Sequence, residues 1–324
     1  MAELSRPDSP GVDTVRARDE ISRVRRFDFV GHRNIFFLIS LLIIVPGIIC
    51  MITRGFLLGV DFAGGTEFDL SFSSHPTQAQ VAVTAQSLYG ESTVQRTTDG
   101  SFVIVTPFLS IPQQTAVEHA LSHQFGTISD LSVTVIGPAI AQETVNSAFL
   151  AVVIAACLIL LYLAFRFRKV PGGWRSGFQF GGSALLALLH DVFLLAGVFS
   201  ILGRWFNLHL GEIDTMFLTA ILTVVGFSVH DTIVVFDRIR ENLGISRRLT
   251  FEQVANLSIM QTLARSIITS FTVVLVLLAL FLFGGESIKG FVLALLIGIV
   301  SGTYSSIFNA TPLLCVWRRL QPVR

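Results

Sequence analysis

Long apolar runs alternate with short polar stretches along this chain. Six of the runs, roughly 35–53, 146–165, 180–202, 215–236, 263–283 and 289–315, are long enough to cross about 30 Å of hydrocarbon at ~1.5 Å of rise per residue. The pattern predicts a polytopic α-helical membrane protein with six spanning helices. The last run is long enough to be tilted or partly interfacial. Pro46-Gly47 should bend the first, with neighbours satisfying the freed carbonyl.

Between the first two runs the period changes. "TEFDLSF" (66–72) alternates as a strand does. "PTQAQVAVTAQSLYG" (76–90) opens on Pro and closes on Gly, as a helix does. "STVQRTT" and "SFVIVTP" flank Asp99-Gly100, a hairpin turn signal. "IPQQTAVEHALSHQFG" gives a second helix and "ISDLSVTVIG" a last strand. The order βαββαβ predicts a small α+β, ferredoxin-like domain, a common arrangement that says little about function.

Composition agrees: 14% of the 324 residues are charged and 52% hydrophobic, where a soluble domain carries about 25% charge. All but four of the 23 Lys and Arg fall in the N-terminal tail, the 166–175 loop, the 238–265 stretch or the C-terminus. Arg54, Arg96, Arg204 and Lys289 lie on the other side. The positive-inside rule then places both termini in the cytoplasm. The expected organisation is a basic cytoplasmic tail (1–34), a first transmembrane helix (35–54), an extracytoplasmic ferredoxin-like domain (55–145), helices two to six (146–317) and a short cytoplasmic tail (318–324). No cleavable signal peptide is legible, because the first apolar run starts too far in. Cys50, Cys157 and Cys315 show neither disulfide nor zinc spacing. His119 and His123, four apart on a predicted helix, lack a third ligand and read as a solvated face.

From Thr215 to Phe236 only His230 and Asp231 can carry charge. Asp231 stands ~8 Å inside its span, where an ionised, unpaired carboxylate costs roughly 2.5–3.5 kcal/mol on insertion scales. It must be neutral, hydrated or paired. The antiparallel fifth span brings Arg265 to the same depth, with Gln261 and Thr269 on its face at i±4. The sixth span adds Ser301, Ser305 and Asn309 as a polar stripe for helix packing, and the third adds His190-Asp191. One reading is a hydrogen-bonded network gluing helices. The other is a proton or ion path in which Asp231 protonates and Arg265 is its counter-ion. His190, Asp191 and His230 are either relays or interhelical donors. Gly298 and Gly302 allow close helix approach.

Five motifs in order carry a resemblance: "LGVDFAGGTEFDL" (58–70), "ALLHDVFLLAG" (187–197), "TVVGFSVHDTIVVFDRIREN" (223–242), "QTLARSIITSFT" (261–272) and "GTYSSIFNATPLL" (302–314). Together they resemble the SecD/SecF family of bacterial protein export, related to RND transporters, and within it the smaller SecF-type subunits. The resemblance implies residence in the bacterial inner membrane and a SecD partner of similar build. It also implies action with the SecYEG channel on unfolded preproteins, with YajC a further candidate partner, driven by the proton-motive force. It assigns Asp231 as the proton-carrying aspartate, with Arg265 and Thr269 as its partners. His230 and Met260 stand where the family often has Asn. No cofactor is implied; the moving ion is a proton, with Na⁺ left open. "DFAGGT" has no Walker lysine and reads as a junction turn. No nucleotide or nucleic-acid site is legible. The alternatives are a half-size RND-type proton-driven exporter of a small molecule or lipid, a passive scaffold that dispenses with Asp231, and an intramembrane metalloprotease. The last lacks HExxH or any similar spacing, so an enzyme is not expected.

Overall fold

The computed structural model describes residues 27–322 except 91, 98 and 246–248. Among these described residues, six helices are long and apolar enough to span a membrane: Arg33–Arg54, Pro138–Arg166, Gly173–Trp205, Thr215–Ile245, Phe251–Phe283 and Glu286–Leu320, the first to sixth spans below. Most of the basic tail read over 1–34 lies outside the described residues, as do Arg247, Arg248 and Arg324.

Several helices outrun their apolar runs. The second begins at Pro138, inside the stretch assigned to the outside domain, with proline in the first turn where its missing N–H is no loss. The fifth begins at Phe251. Thr250 Oγ1 accepts from the Gln253 N–H at 3.4 Å while Gln253 Oε1 accepts from the Thr250 N–H at 2.9 Å. This capping box starts the helix about three turns before its apolar stretch. Polar early turns hide such starts from a hydropathy reading.

Two devices pack the bundle. Phe167, Phe180 and Phe236 pack mutually, with ring centroids 4.9–5.9 Å apart, at the end remote from the sheet domain. Elsewhere glycines remove the side chain at a crossing. A Cβ on Gly47 would stand 2.7 Å from the Gly197 Cα, joining first and third spans at backbone contact. Gly298 and Gly302 of the sixth span lie against Val224 and Ser228 of the fourth. Residues 27–29 fold back on the fifth span, where Asn256 Oδ1 accepts from the Phe29 N–H and Asn256 Nδ2 donates to the Phe27 carbonyl, both at 2.8 Å.

The sheet domain has the βαββαβ order expected from the sequence. Its strands are β2 (Gly65–Phe72), β3 (Thr93–Arg96), β4 (Phe102–Thr106) and β5 (Ile128–Ile136), after a short β1 (Leu57–Leu58). The four-stranded sheet is antiparallel in the order β3-β4-β2-β5. Alternation sorts its faces. Phe68, Leu70, Phe72, Phe102 and Ile104 meet Val81, Val117, Leu121 and Phe125 of the helices Gln78–Tyr89 and Ile111–Phe125. Glu67 and Asp69 point the other way, toward the bundle.

The "DFAGGT" stretch joins domain and bundle as the junction turn anticipated. Gly64 and Gly65 adopt φ of +72° and +132°, and a Cβ on Gly65 would lie 2.4 Å from the Thr106 carbonyl oxygen. Asp61 Oδ2 accepts from the Thr215 N–H at 3.0 Å and its hydroxyl at 2.5 Å. Asp214 Oδ1 accepts from the Phe217 N–H at 2.7 Å. Two carboxylates thus cap the fourth span, where the helix dipole favours negative charge. β1 also pairs in parallel with β6 (Glu212–Ile213) just before that span.

Gly302→Val places methyl groups on Ser228, whose Cβ would lie 2.9 Å from the new Cβ. It should destabilise the purified protein by roughly 1–3 kcal/mol, the usual cost of overpacking. Gly226→Ala, which meets open space, should leave the melting temperature in detergent unchanged. Equal melting of the two variants is the contrary result.

Candidate functional site

A carboxylate inside an apolar bundle needs donors. Asp191 of the third span and Asp231 of the fourth are both buried, and both find them mainly in serine hydroxyls. Asp191 Oδ1 accepts from Ser301 Oγ at 2.7 Å and lies 3.1 Å from His190 Nδ1. Its Oδ2 accepts from Ser228 Oγ at 2.7 Å and Ser305 Oγ at 2.6 Å. Asp231 Oδ1 accepts from Ser266 Oγ at 2.6 Å, and its Oδ2 from Ser306 Oγ at 2.8 Å. The third, fourth, fifth and sixth spans therefore meet on two carboxylates. Ser228 and Asp231, one turn apart on the fourth span, place the carboxylates side by side.

The sequence located the depth of this cluster but not every face. Arg265 makes no ion pair with Asp231; it is exposed, with Gln261 and Thr269. The buried face of the fifth span carries Thr262, Ser266 and Ser270 instead. The expected stripe is thus displaced by one residue, about 100° around a helix. Thr269 Oγ1 donates to the Arg265 carbonyl of its own helix at 2.9 Å. Gln261 Oε1 accepts from Arg238 Nε at 2.5 Å and Asn242 Nδ2 at 2.9 Å, away from Asp231. His230 is exposed, about 100° around its helix from the buried Asp231. His190 does reach the cluster, and its Nε2 is buried without a hydrogen-bond partner. Ser301 and Ser305 do share a face, and it ends on Asp191. Asn309 leaves that face because a π-turn over Ser306–Ala310 rotates the helix after it. Asn309 Nδ2 instead donates to Ser40 Oγ of the first span at 3.0 Å.

Ser228, Ser266 and Ser306 escaped the sequence reading although each is one turn or one residue from a residue it named. A serine in an apolar run is unremarkable by composition, and only the carboxylate opposite gives it meaning. His119 and His123 are exposed, and no metal-binding group occurs among the described residues.

A second polar cluster, unforeseen from sequence, lies between the open face of the sheet and the neighbouring bundle end. A cleft of about 500 Å³ is lined there by Glu67, Asp69, His209, Glu212 and Asp214, among others. His209 Nδ1 is 2.9 Å from Glu212 Oε2 and 3.2 Å from Gln95 Oε1 of β3. Burial, then the nearby Glu212 charge, pushes the Glu67 carboxyl up to about 7, against the opposing pull of His209. Desolvation disfavours the His209 cation, but Glu212, Glu67 and Asp214 outweigh it and raise its pKa.

Fold and interior define a multi-pass membrane protein with two hydroxyl-held carboxylates in its bundle and a small sheet domain at one end. The chain belongs to the SecD/SecF family: residues 116–320 match the model described as protein export membrane protein SecD/SecF, C-terminal, and residues 51–74 the SecD/SecF GG motif. It is 47% identical to the protein translocase subunit SecF of Thermobaculum terrenum over 90% of this chain and 93% of that one. It is 41% identical to the SecF subunit of Anaerolinea thermophila over 90% and 94%. Among solved structures it resembles SecDF, a translocon-associated membrane protein from Thermus thermophilus, with a TM-score of 0.79 and 34% identity over 91% of this chain and 39% of that longer one. The GG motif spans the capped junction turn, and the C-terminal model covers both carboxylates.

The outer cluster generates a pH dependence with a fixed sign. Glu67 holds its proton from the ordinary 4.5 up to about 7 in the folded chain, so between those values the folded state binds the extra proton. Stability contributed there falls as pH rises through that window. His209, also raised, contributes stability below its ordinary 6.5 that is lost as pH rises through its folded value, so the two groups act together. Glu67→Gln should raise the melting temperature at pH 8 by a few degrees and leave it unchanged at about pH 4, below the ordinary carboxyl value. A variant no more stable than wild type at pH 8 is the adverse result.

Proposed function

We propose that this chain is the SecF-type half of a two-subunit motor that uses the proton-motive force to assist export of preproteins through the SecYEG channel. The observation that carries this reading is Asp231: a buried carboxylate in the bundle interior with two hydroxyl donors among the described residues. Its protonation removes a charge that three packed spans, the fourth, fifth and sixth, otherwise accommodate. The relatives' names, translocase subunit SecF and SecDF, supply the setting. The chain then sits in the bacterial inner membrane with both termini in the cytoplasm and its sheet domain outside, an orientation the arginine distribution supports.

A SecD partner has its own support. Thr219, Thr223 and His230 of the fourth span and Gln261, Arg265 and Thr269 of the fifth are exposed. A guanidinium facing lipid is costly, and among the described residues Arg265 has no ion pair. A second six-span half provides polar cover. The SecDF of Bacillus subtilis, in which this chain aligns with 40% of the length, joins more chain to such a unit.

The ionic work is of the right size. One proton crossing ~100 mV releases about 2.3 kcal/mol, enough to exchange a few hydrogen bonds between helices. In this cycle protonation of Asp231 frees Ser266 and Ser306, the fourth and sixth spans shift, and the sheet domain moves with the fourth span. Arg265 acts across the SecD interface rather than as the counter-ion of Asp231.

The test is preprotein export in inverted vesicles containing SecD, with and without an imposed pH gradient. Asp231→Asn should reduce export to the gradient-free level while the subunits still assemble. Export that still responds fully to the gradient overturns the reading.

A further inference from the structure

The sixth span donates to both carboxylates through consecutive residues: Ser305 Oγ to Asp191 at 2.6 Å and Ser306 Oγ to Asp231 at 2.8 Å. Consecutive residues of an α-helix point about 100° apart. The arrangement works because the carboxylates stand on adjacent spans and a π-turn begins at Ser306. Such turns hold one residue more than an α-turn and are frequent at functional sites.

Each serine also has a second acceptor on its own helix. Ser306 Oγ lies 3.0 Å from the Thr303 carbonyl and Ser305 Oγ 3.3 Å from the Gly302 carbonyl. A hydroxyl has one proton to donate. Facing an ionised Asp231, Ser306 makes the stronger, charge-assisted bond. Facing a protonated Asp231, it can turn to Thr303 and accept from the acid instead. Asp191 differs: with three serines and a histidine around it, loss of any one donor leaves it held.

The π-turn also faces the first span. Asn309 within it exchanges hydrogen bonds with Ser40, and Tyr304 just before it donates to the Phe36 carbonyl at 2.8 Å. The first span runs directly into the sheet domain through residues 55–58, where Ser200 and Arg204 grip the Gly55 and Phe56 carbonyls.

We propose that Ser306 is a positioning residue for the proton-carrying step. Its bond to ionised Asp231 fixes the π-turn, and its release on protonation lets the turn shift against the first span while Ser305 keeps the helix on Asp191. This rests on Asp231 being the proton-carrying group. Among the described residues, the titratable groups within two turns of the two carboxylates and their serine donors are His190 and Asp191 on the third span, His230, Asp237 and Arg238 on the fourth, Arg265 on the fifth and Tyr304 on the sixth. His230 and Arg265 are exposed, and Arg238 is engaged by Gln261 and Glu241.

The experiment measures gradient-dependent export against pH in vesicles containing both subunits. Ser306→Ala removes a donor to the ionised form, so its profile should move about one unit toward alkaline pH, tenfold in proton concentration. Ser306→Thr should keep the wild-type profile. Ser306→Thr and Ser306→Val, alike in shape and different in the hydroxyl, give the same comparison if the alanine variant assembles poorly. A hydroxyl-free variant with lowered export but an unshifted profile makes Ser306 merely structural and overturns the proposal. Asp231→Asn run alongside separates the failures. If it loses gradient-dependent export while Ser306→Ala keeps the wild-type profile, only this inference falls. If it keeps gradient-dependent export, the functional reading falls and takes this inference with it.

Discussion

Two carboxylates and their six short donor contacts, five serine hydroxyls and one imidazole, set the terms for the bundle. Among the described residues no Lys or Arg lies within ion-pair distance of either carboxylate, and the imidazole of His190 stands beside Asp191. Burial is therefore offset mainly by hydroxyl dipoles. Serine is short, so it reaches a carboxylate on another helix only where the backbones nearly touch. That requirement explains the glycines. Gly302 lies on Ser228, which itself donates to Asp191, and Gly298 lies one turn away on Val224. Close crossing and polar satisfaction are one constraint here, and replacing a glycine disturbs both.

The asymmetry between the carboxylates follows from the same geometry. Asp191 lies where three spans converge and accepts from all of them, its neighbour His190 included. Asp231 lies toward the fifth span and has one donor there and one on the sixth. A carboxylate bonded to donors on three helices is held in place more firmly than one with two donors. The bundle thus has a well-anchored carboxylate beside a lightly held one, with the sixth span in contact with both.

How much of this the sequence discloses depends on the physical signal. The spans and the βαββαβ order were legible because their periods are strong and local: apolar runs for the spans, alternation and Pro/Gly punctuation for the domain. The depth of the site was legible from Asp231 alone. Its face on the fifth span was not, because lipid and bundle interior are both apolar, so hydropathy cannot separate inward from outward sides. Arg265 drew attention as the obvious counter-charge, whereas Ser266 beside it makes the contact. The departure of Asn309 depends on a π-turn that leaves no compositional trace. The outer cluster joins a local pair, His209 and Glu212, to partners more than a hundred positions away, Gln95 and Glu67, which no local pattern encodes.

The sheet domain is attached to the bundle in a way that gives the fourth span mechanical priority. Asp61 of the GG motif bonds to the first residue of that span, Asp214 caps its first turn, and β1 pairs with β6 immediately before it. These contacts are short, polar and directional, so an axial shift of the fourth span pulls on the strand that leads into the sheet. The same helix carries Asp231 toward its other end. A helix is stiff along its axis because each turn is hydrogen-bonded to the next. An axial displacement at Asp231 would therefore reach the domain without an intervening loop to absorb it. The junction glycines fit this role: at positive φ and pressed against the Thr106 carbonyl and Pro138, they form a tight corner rather than a flexible tether.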